Sequence, residues 1–315
     1  MRKTPILFSA YNRLECTKKS LNSILKYKPH KLYISCDGPK DNELDKKKTD
    51  EVRFFIKKKT KNLKGIHFIF NEKNLGCKKS NVKAINWFFK NEKQGIILED
   101  DCIANLKFYS FCKSLLLKYK KNKKIFCISG SNFQKNPIDK NSYYFSKYNH
   151  CWGWATWRDR WKYNDEKIKF WKKFKQTKKW KKLHLNNIES QYWKKIFDKV
   201  YLNKIDSWAY PWTLSVWKKE GLTVTPNMNL VKNIGIGENS THSFFQKNLK
   251  NYLNKKQLKI KIIHPKKINI NDRADLYVFK NHFKGYKYIW PYRGVDILKK
   301  LIKNPILFLK KLNKL

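Results

Sequence analysis

The 315-residue sequence has no apolar run of about 18 residues, so no part of it reads as a bilayer-crossing helix. It has no C-x-x-C pair. Its seven cysteines (16, 36, 77, 102, 112, 127 and 151) are odd in number and scattered. That spacing argues against a disulfide framework or a zinc site and leaves small buried thiols in a reducing compartment as the expectation. Arginine is scarce: only seven of the 72 basic residues, the rest being lysine. Acidic residues number 24, so the formal charge is +48. A charge of that size suits an anionic membrane surface or a diphosphate. Nucleic-acid readers favour the bidentate fork of arginine over the point charge of lysine, and no helix-turn-helix, zinc-finger or RNA-recognition signature occurs. Specific nucleic-acid binding is therefore not expected.

What is present suits a folded enzyme: hydrophobic residues make up 41% and aromatics 16%, with twelve tryptophans, most of which should be core. The first 132 residues alternate between two patterns. Short apolar runs at Pro5–Ala10, Lys31–Cys36, Ile66–Phe70, Gly95–Leu98 and Ile125–Gly130 predict buried strands of a parallel sheet. The run from Pro5 to Phe8 is too short for a signal peptide and fits a first strand. Between the runs, helical spacing predicts helices over 14–27, 49–59, 78–90 and 106–119. Strand–helix alternation predicts an α/β fold with both sheet faces covered.

Residues 133–165 lack clean periodicity and hold the run His150-Cys151-Trp152-Gly153-Trp154-Ala155-Thr156-Trp157. A Lys- and Trp-rich helical stretch is expected to about Tyr201, then a helix from near Asp206 to Glu220 and an apolar run Leu222–Val224. Gly235, Gly237 and Asn239 mark a loop before His242. The last segment places Val295, Leu298, Ile302, Ile306 and Leu309 at helical spacing among lysines, with Pro305 expected to break it. Docking on the domain and attachment to a membrane surface both fit that pattern. The expected location is cytoplasmic, either free or peripheral at the inner membrane.

Ligands of open α/β sheets sit beyond the carboxyl ends of the strands. Those ends here read Tyr11-Asn12-Arg13, Asp37-Gly38, Asn71 with Asn74-Leu75-Gly76, and Glu99-Asp100-Asp101. Three consecutive acids after a buried strand repel one another. A hard divalent cation relieves that repulsion, and Mg²⁺ or Mn²⁺ binds through one or two carboxylates plus substrate phosphates. The expectation is a metal–diphosphate site.

Taken in order, Ile6 to Arg13, Asn74-Leu75-Gly76 before a helix, Ile96 to Asp101, Ser129 to Asn132 and the stretch Gly235 to Leu249 resemble glycosyltransferases of the GT-A fold. The Glu-Asp-Asp form resembles the inverting β-N-acetylglucosaminyltransferases, and the overall pattern resembles bacterial family-two-like sugar transferases. The resemblance covers roughly residues 4 to 250. It implies a mixed, mostly parallel sheet flanked by helices. It implies a GT-A domain over 1–250, with a donor half to about 132 and an acceptor half from about 133. Residues 251–315 are then a basic extension with an amphipathic tail. Relative to the eukaryotic members, the chain is expected to lack an N-terminal stem and anchor.

The resemblance further implies Mn²⁺ or Mg²⁺ on Asp101, with Asp100 and Glu99 ordering the site or contacting the nucleoside. Tyr11, Asn12 and Arg13 would flank the nucleobase, Asp37 would contact base or ribose, Asn74 would belong to the donor site, and Lys78 or Lys79 would face uracil or phosphate. His242 would bind metal or phosphate. Asp206 is the candidate base, with Asp159 and Glu166 as rivals. A helix N-cap is the plainer account of Asp206. Trp208 and Trp212 would pack the acceptor, and Trp152, Gly153 and Trp154 would wall the donor sugar. The expected reaction is inverting transfer from a UDP-sugar to a hydroxyl of a surface-polysaccharide or lipid-linked glycan. A sugar-phosphate nucleotidyltransferase is the enzymatic alternative, and a basic membrane-surface or nucleic-acid-binding module the non-enzymatic one.

Overall fold

The computed structural model of the chain describes residues 3–235, 262–288, 291–303 and 305. Its strands are β1 Ile6–Ala10, β2 Leu32–Cys36, β3 Ile66–Phe70, β4 Gln94–Glu99, β5 Cys102–Ala104, β6 Ile125–Ser129, β7 Tyr143–Ser146, β8 Trp154–Trp157, β9 Leu222–Pro226 and β10 Val231–Asn233. Eight of them form one sheet in the order β3-β2-β1-β4-β8-β6-β9-β7; β5 pairs with β10 in a separate ribbon. β1, β2, β3, β4, β6 and β9 run one way, while β8 and the edge strand β7 run the other. This is a mixed, mostly parallel sheet flanked by helices, as the resemblance implies.

The five strands expected from apolar runs all form, each within one residue of its expected bounds. In β1, Ile6 and Phe8 face one core while Leu7 faces another, so the pleat sorts one apolar run onto two covered faces. Helices Leu14–Tyr27, Glu43–Thr60 and Leu106–Lys118 supply the first core. Helix Gly76–Asn91 supplies the second through Val82, Ala84, Ile85, Phe88 and Phe89. The helix expected over 49–59 begins earlier, at Glu43, because the Asn42 side chain accepts a hydrogen bond from the Asp45 backbone N–H at 2.9 Å. β8 gives no alternation in the sequence because it lies between β4 and β6 with all four residues buried.

A third, aromatic core gathers Trp171, Trp180, Trp193 and Trp217. Nine of the eleven tryptophans among the described residues are buried, so few are placed to meet a ligand. The segment after residue 251 contributes to these cores: Ile262 and Ile268 pack on the first, and Val278 and Phe279 belong to the third. Helix Asp272–Asn281 is fixed by Asp275, which accepts from Ser146 Oγ at 2.5 Å and the Lys147 backbone N–H at 3.0 Å. The final described helix, Tyr292–Lys303, exposes Val295, Leu298, Leu301 and Ile302. Among the described residues, no helix is long and apolar enough to cross a membrane. All seven cysteines are unpaired.

Candidate active site

Strand order reverses at β1: the chain runs outward through β2 and β3, then returns to place β4 on the other side of β1. A crevice opens beyond the carboxyl ends at such a switch point. Here it is a cavity of about 850 Å³. Tyr11, Asn12 and Arg13 after β1, Asp37 after β2, Asn74 beyond β3, and Glu99, Asp100 and Asp101 at the end of β4 all line it. Asp206, Trp208 and Trp152 reach the same cavity from the later half of the chain.

Among the described residues, the acidic triplet shares one ion-paired cation. The guanidinium of Arg13 is ion-paired with Asp100, whose side chain is nearly inaccessible, and reaches Asp101 Oδ2 at 3.1 Å. Burial, then the charges of Asp101 and Asp100, push the Glu99 carboxyl up to about 8. Burial also raises Asp100, to about 6, against the pull of Arg13. One guanidinium therefore leaves the cluster undercompensated, which favours a further cation. Among the described residues, the second oxygen of Asp101 meets only the weak thiol donor of Cys102, at 3.4 Å. Among the described residues no group of three or more His, Cys, Asp or Glu is placed to cage a metal. The partly exposed carboxylate of Asp101 fits a hard cation shared with phosphate oxygens.

The β5–β10 ribbon brings a cover over this pair. Ile234 donates its backbone N–H to the Asp101 carbonyl at 2.8 Å. A Cβ at Gly235 would lie 2.3 Å from Asp101 Oδ2 and 2.7 Å from Arg13 Nη1, so any side chain there would displace this pair.

Two carboxylates in the cavity are engaged with backbone. Asp37 accepts from the N–H groups of Gly38, Leu75 and Gly76 and from the side-chain amides of Asn71 and Asn74. With its acceptor capacity used this way, it builds the turn that starts helix Gly76–Asn91. Asp206 does not cap its own helix, Ala209–Lys218. It caps helix Gly76–Asn91 from a distance, accepting from the Cys77 N–H at 2.9 Å and the Lys78 N–H at 3.0 Å. The cap expected for Asp206 is thus real, but its partner is another helix.

One residue with no sequence signal for function organises the loop after β1. Asp45 accepts from Tyr11 Oη at 2.5 Å, Asn12 Nδ2 at 2.6 Å and the Lys40 N–H at 2.6 Å. Burial opposes its ionisation, but the Tyr11, Lys40 and Asn12 hydrogen bonds outweigh burial and hold its carboxyl below the usual range. Its only trace in the sequence is its place three residues after the Asn42 cap.

Other expected residues lie elsewhere. Trp154 is core, stacked on Trp208 with ring centroids 5.5 Å apart, and does not line the cavity. Gly153 sits at φ +64°, where a Cβ would fall 2.7 Å from Val231 Cγ2; it turns the chain behind the wall. Trp152 alone of that trio lines the cavity. Trp212 is fully buried in the second core. Lys78 directs its amine to Asn203 Oδ1 at 3.0 Å. Asp159 is ion-paired with Lys123 and Arg160, and neither it nor Glu166 lines the cavity. His242 lies outside the described residues.

No protein-family model matches the chain, and no curated protein does. Among solved structures, the chain is similar to residues 1–349 of TarS from S. aureus, at 14% identity over 52% of this chain and 49% of that one, TM-score 0.37. It is similar to GalNAc-T7 with UDP, GalNAc and Mn²⁺, at 12% identity over 72% and 43%, TM-score 0.42. It is also similar to the glycosyltransferase GlyE of Streptococcus pneumoniae, at 11% identity over 70% and 45%, TM-score 0.33. The chain thus spans less than half the length of each. At these identities and scores the likenesses carry no inference about chemistry, which rests on the residues above.

Proposed function

We propose that this chain is a glycosyltransferase that moves a sugar from a UDP-sugar to a hydroxyl of a surface-polysaccharide or lipid-linked glycan, with inversion and with Mn²⁺ or Mg²⁺. One observation carries the reading. The undercompensated acids at the end of β4, the Tyr11–Arg13 loop and the carboxylate of Asp206 converge on one cavity at the switch point.

In this reading Tyr11 and Asn12, pinned by Asp45, flank the base, and Asn74 sits beside them. Asp101 is the residue that holds the cation. A bound Mn²⁺ or Mg²⁺ would stabilise the charge of the departing diphosphate. Asp206 accepts the proton of the acceptor hydroxyl as that oxygen attacks the anomeric carbon from the face opposite the diphosphate. The C1–O bond to the diphosphate breaks as the new C1–O bond forms, so the configuration inverts in a single displacement.

Nucleotidyl transfer would use a related metal–diphosphate site. It normally calls for a Gly-rich, basic phosphate loop after the first strand, and Ser9-Ala10-Tyr11-Asn12 has none. A screen of UDP-sugars for slow hydrolysis in Mn²⁺ separates the two readings. Release of UDP and free sugar from one donor is expected. Release of pyrophosphate from UTP plus a sugar phosphate would favour the nucleotidyltransferase instead.

A purely basic binding module gives no account of acids gathered at a strand end. Peripheral contact with an anionic membrane is part of the proposal, because Val295, Leu298, Leu301 and Ile302 are exposed on the tail helix among lysines 299, 300 and 303. Cosedimentation with anionic vesicles is expected and should fall about tenfold in Leu298→Glu/Ile302→Glu; equal sedimentation of the two proteins would remove this part.

A further inference from the structure

Lysine is plentiful along the whole chain, so the local signal lies in where exposed acids are missing. Helix Glu43–Thr60 sets exposed Glu43, Asp50 and Glu51 among its lysines. Between residues 162 and 204, thirteen lysines are exposed and no carboxylate is: Asp165, Glu166 and Asp198 are half-buried and Glu189 is buried. Glu220 reaches this surface from outside the segment and pairs with Lys179 at 3.0 Å. Like charge gathered this way repels itself and attracts an anionic partner.

Part of this surface adjoins the tail helix. Helix Asn187–Tyr201 turns Trp193, Phe197 and Val200 into the third core. Tyr192, Lys195, Lys199 and Leu202 follow at helical spacing on a neighbouring face. Lys195 and Lys199 are exposed, and Leu202, just past the last turn, is 60% exposed. At the start of that face the Tyr192 ring meets Tyr288, with centroids 5.4 Å apart. Tyr288 closes the turn Gly285–Tyr288, and the tail helix Tyr292–Lys303 begins four residues later. The exposed lysines and the exposed apolar tail therefore meet on one side of the molecule. The cavity lies beside them: Asp206, four residues beyond Leu202, and Phe283, whose ring is 6.4 Å from that of Tyr192, both line it.

We propose that this face of helix Asn187–Tyr201 and the tail helix form one surface that docks on an anionic bilayer and holds the cavity beside it, so that the acceptor is a lipid-linked glycan carried by that bilayer and not a free polysaccharide. Each part supplies what the other lacks. Lysine ammoniums are drawn to anionic headgroups over about a Debye length and need no fixed geometry, which suits lysine better than the arginine fork. Val295, Leu298, Leu301 and Ile302 supply the apolar area that enters the headgroup boundary. A soluble polyanion would meet the lysines but leave the apolar residues beside them in water; a bilayer meets both. A tail helix alone tethers the domain, whereas a second contact on the packed domain fixes which way the cavity faces. The acceptor assignment rests on the transferase reading; the docking surface does not.

The test uses the whole chain and Lys195→Glu/Lys199→Glu, with Lys57→Glu/Lys58→Glu on helix Glu43–Thr60 as a control of equal change in net charge. Partition onto vesicles of phosphatidylglycerol and phosphatidylcholine is read by cosedimentation at about 0.1 M salt, where charges beyond about 10 Å are screened. Thermal melts and UDP affinity report the fold and the donor site. The Lys195/Lys199 variant is expected to lose at least about 25-fold in partition, about fivefold for each lysine taken from an anionic surface, with Tm and UDP affinity kept. The control should stay within about threefold of the parent. With the donor found in the UDP-sugar screen, labelled sugar should enter the organic-extractable lipid of isolated bacterial membranes. The variant should lower that transfer and leave hydrolysis of the donor in solution unchanged. Equal partition of parent and variant overturns the proposal, and so does an equal loss in the control, which would reduce the effect to net charge. A parent that binds soluble polyphosphate but not the vesicles overturns it as well. Docking as predicted, with label entering only water-soluble polysaccharide, would overturn the lipid-linked acceptor while the transferase reading stands. Docking through these lysines in a chain that binds no UDP would keep the surface and remove the transferase.

Discussion

Asp206→Asn is expected to leave UDP binding within a few-fold of the parent and to lower turnover by about 10²–10⁴-fold, the usual worth of a positioned general base. The geometry explains both halves. Asp206 is held rigidly, because its two oxygens accept from consecutive N–H groups at the start of helix Gly76–Asn91. Asparagine keeps one acceptor there and loses the other, a capping cost of about 1 kcal/mol that the fold should absorb. What asparagine cannot do is take a proton from the acceptor hydroxyl. Steady-state kinetics with the donor found in the UDP-sugar screen, beside a thermal melt, separates the effects. Near-normal turnover would leave Asp206 as a cap only and send the search for the base to another carboxylate of the cavity.

Asp101→Ala is expected to remove the metal-dependent part of UDP affinity. The loss should be at least the roughly 10–100-fold that follows removal of an outer-shell partner, since Asp101 would be a direct ligand. Arg13 remains anchored by Asp100 in this variant, so the Tyr11–Arg13 loop should keep its place. Residual, metal-independent UDP binding is therefore expected through Tyr11, Asn12 and Arg13. The complementary change, Arg13→Ala, removes the one ion pair the acids make among the described residues and tests a different quantity, the stability of the apo protein.

The first 132 residues were readable because strands buried on both faces are continuous apolar runs bounded by polar strand ends. β1, β2, β3, β4 and β6 were legible for that reason, and with them the convergence of Arg13, Asp37, Asn74 and Glu99–Asp101. The later half was less legible. β8 is Trp154-Ala155-Thr156-Trp157, a strand inserted antiparallel between two others, and an aromatic run carries no mark of direction or partner. That is why Trp154 read as a ligand wall and proved to be core. Long-range pairings were hidden as well. Nothing near Asp206 in the chain announces that it caps a helix beginning at Gly76, and nothing near Asp45 announces Tyr11 and Asn12. His282, which lines the cavity beside His150, lies in a stretch whose composition reads only as Lys- and Asn-rich.

The central claim is that Glu99-Asp100-Asp101 holds a divalent cation on a uridine diphosphate. Calorimetric titration of the protein with UDP, once in Mn²⁺ and once in chelator, tests it most directly. Tighter binding in Mn²⁺ is predicted for the parent, and the difference should vanish in Asp101→Ala. UDP affinity that is indifferent to Mn²⁺ in the parent, or a metal-dependent gain that survives in Asp101→Ala, would contradict the account.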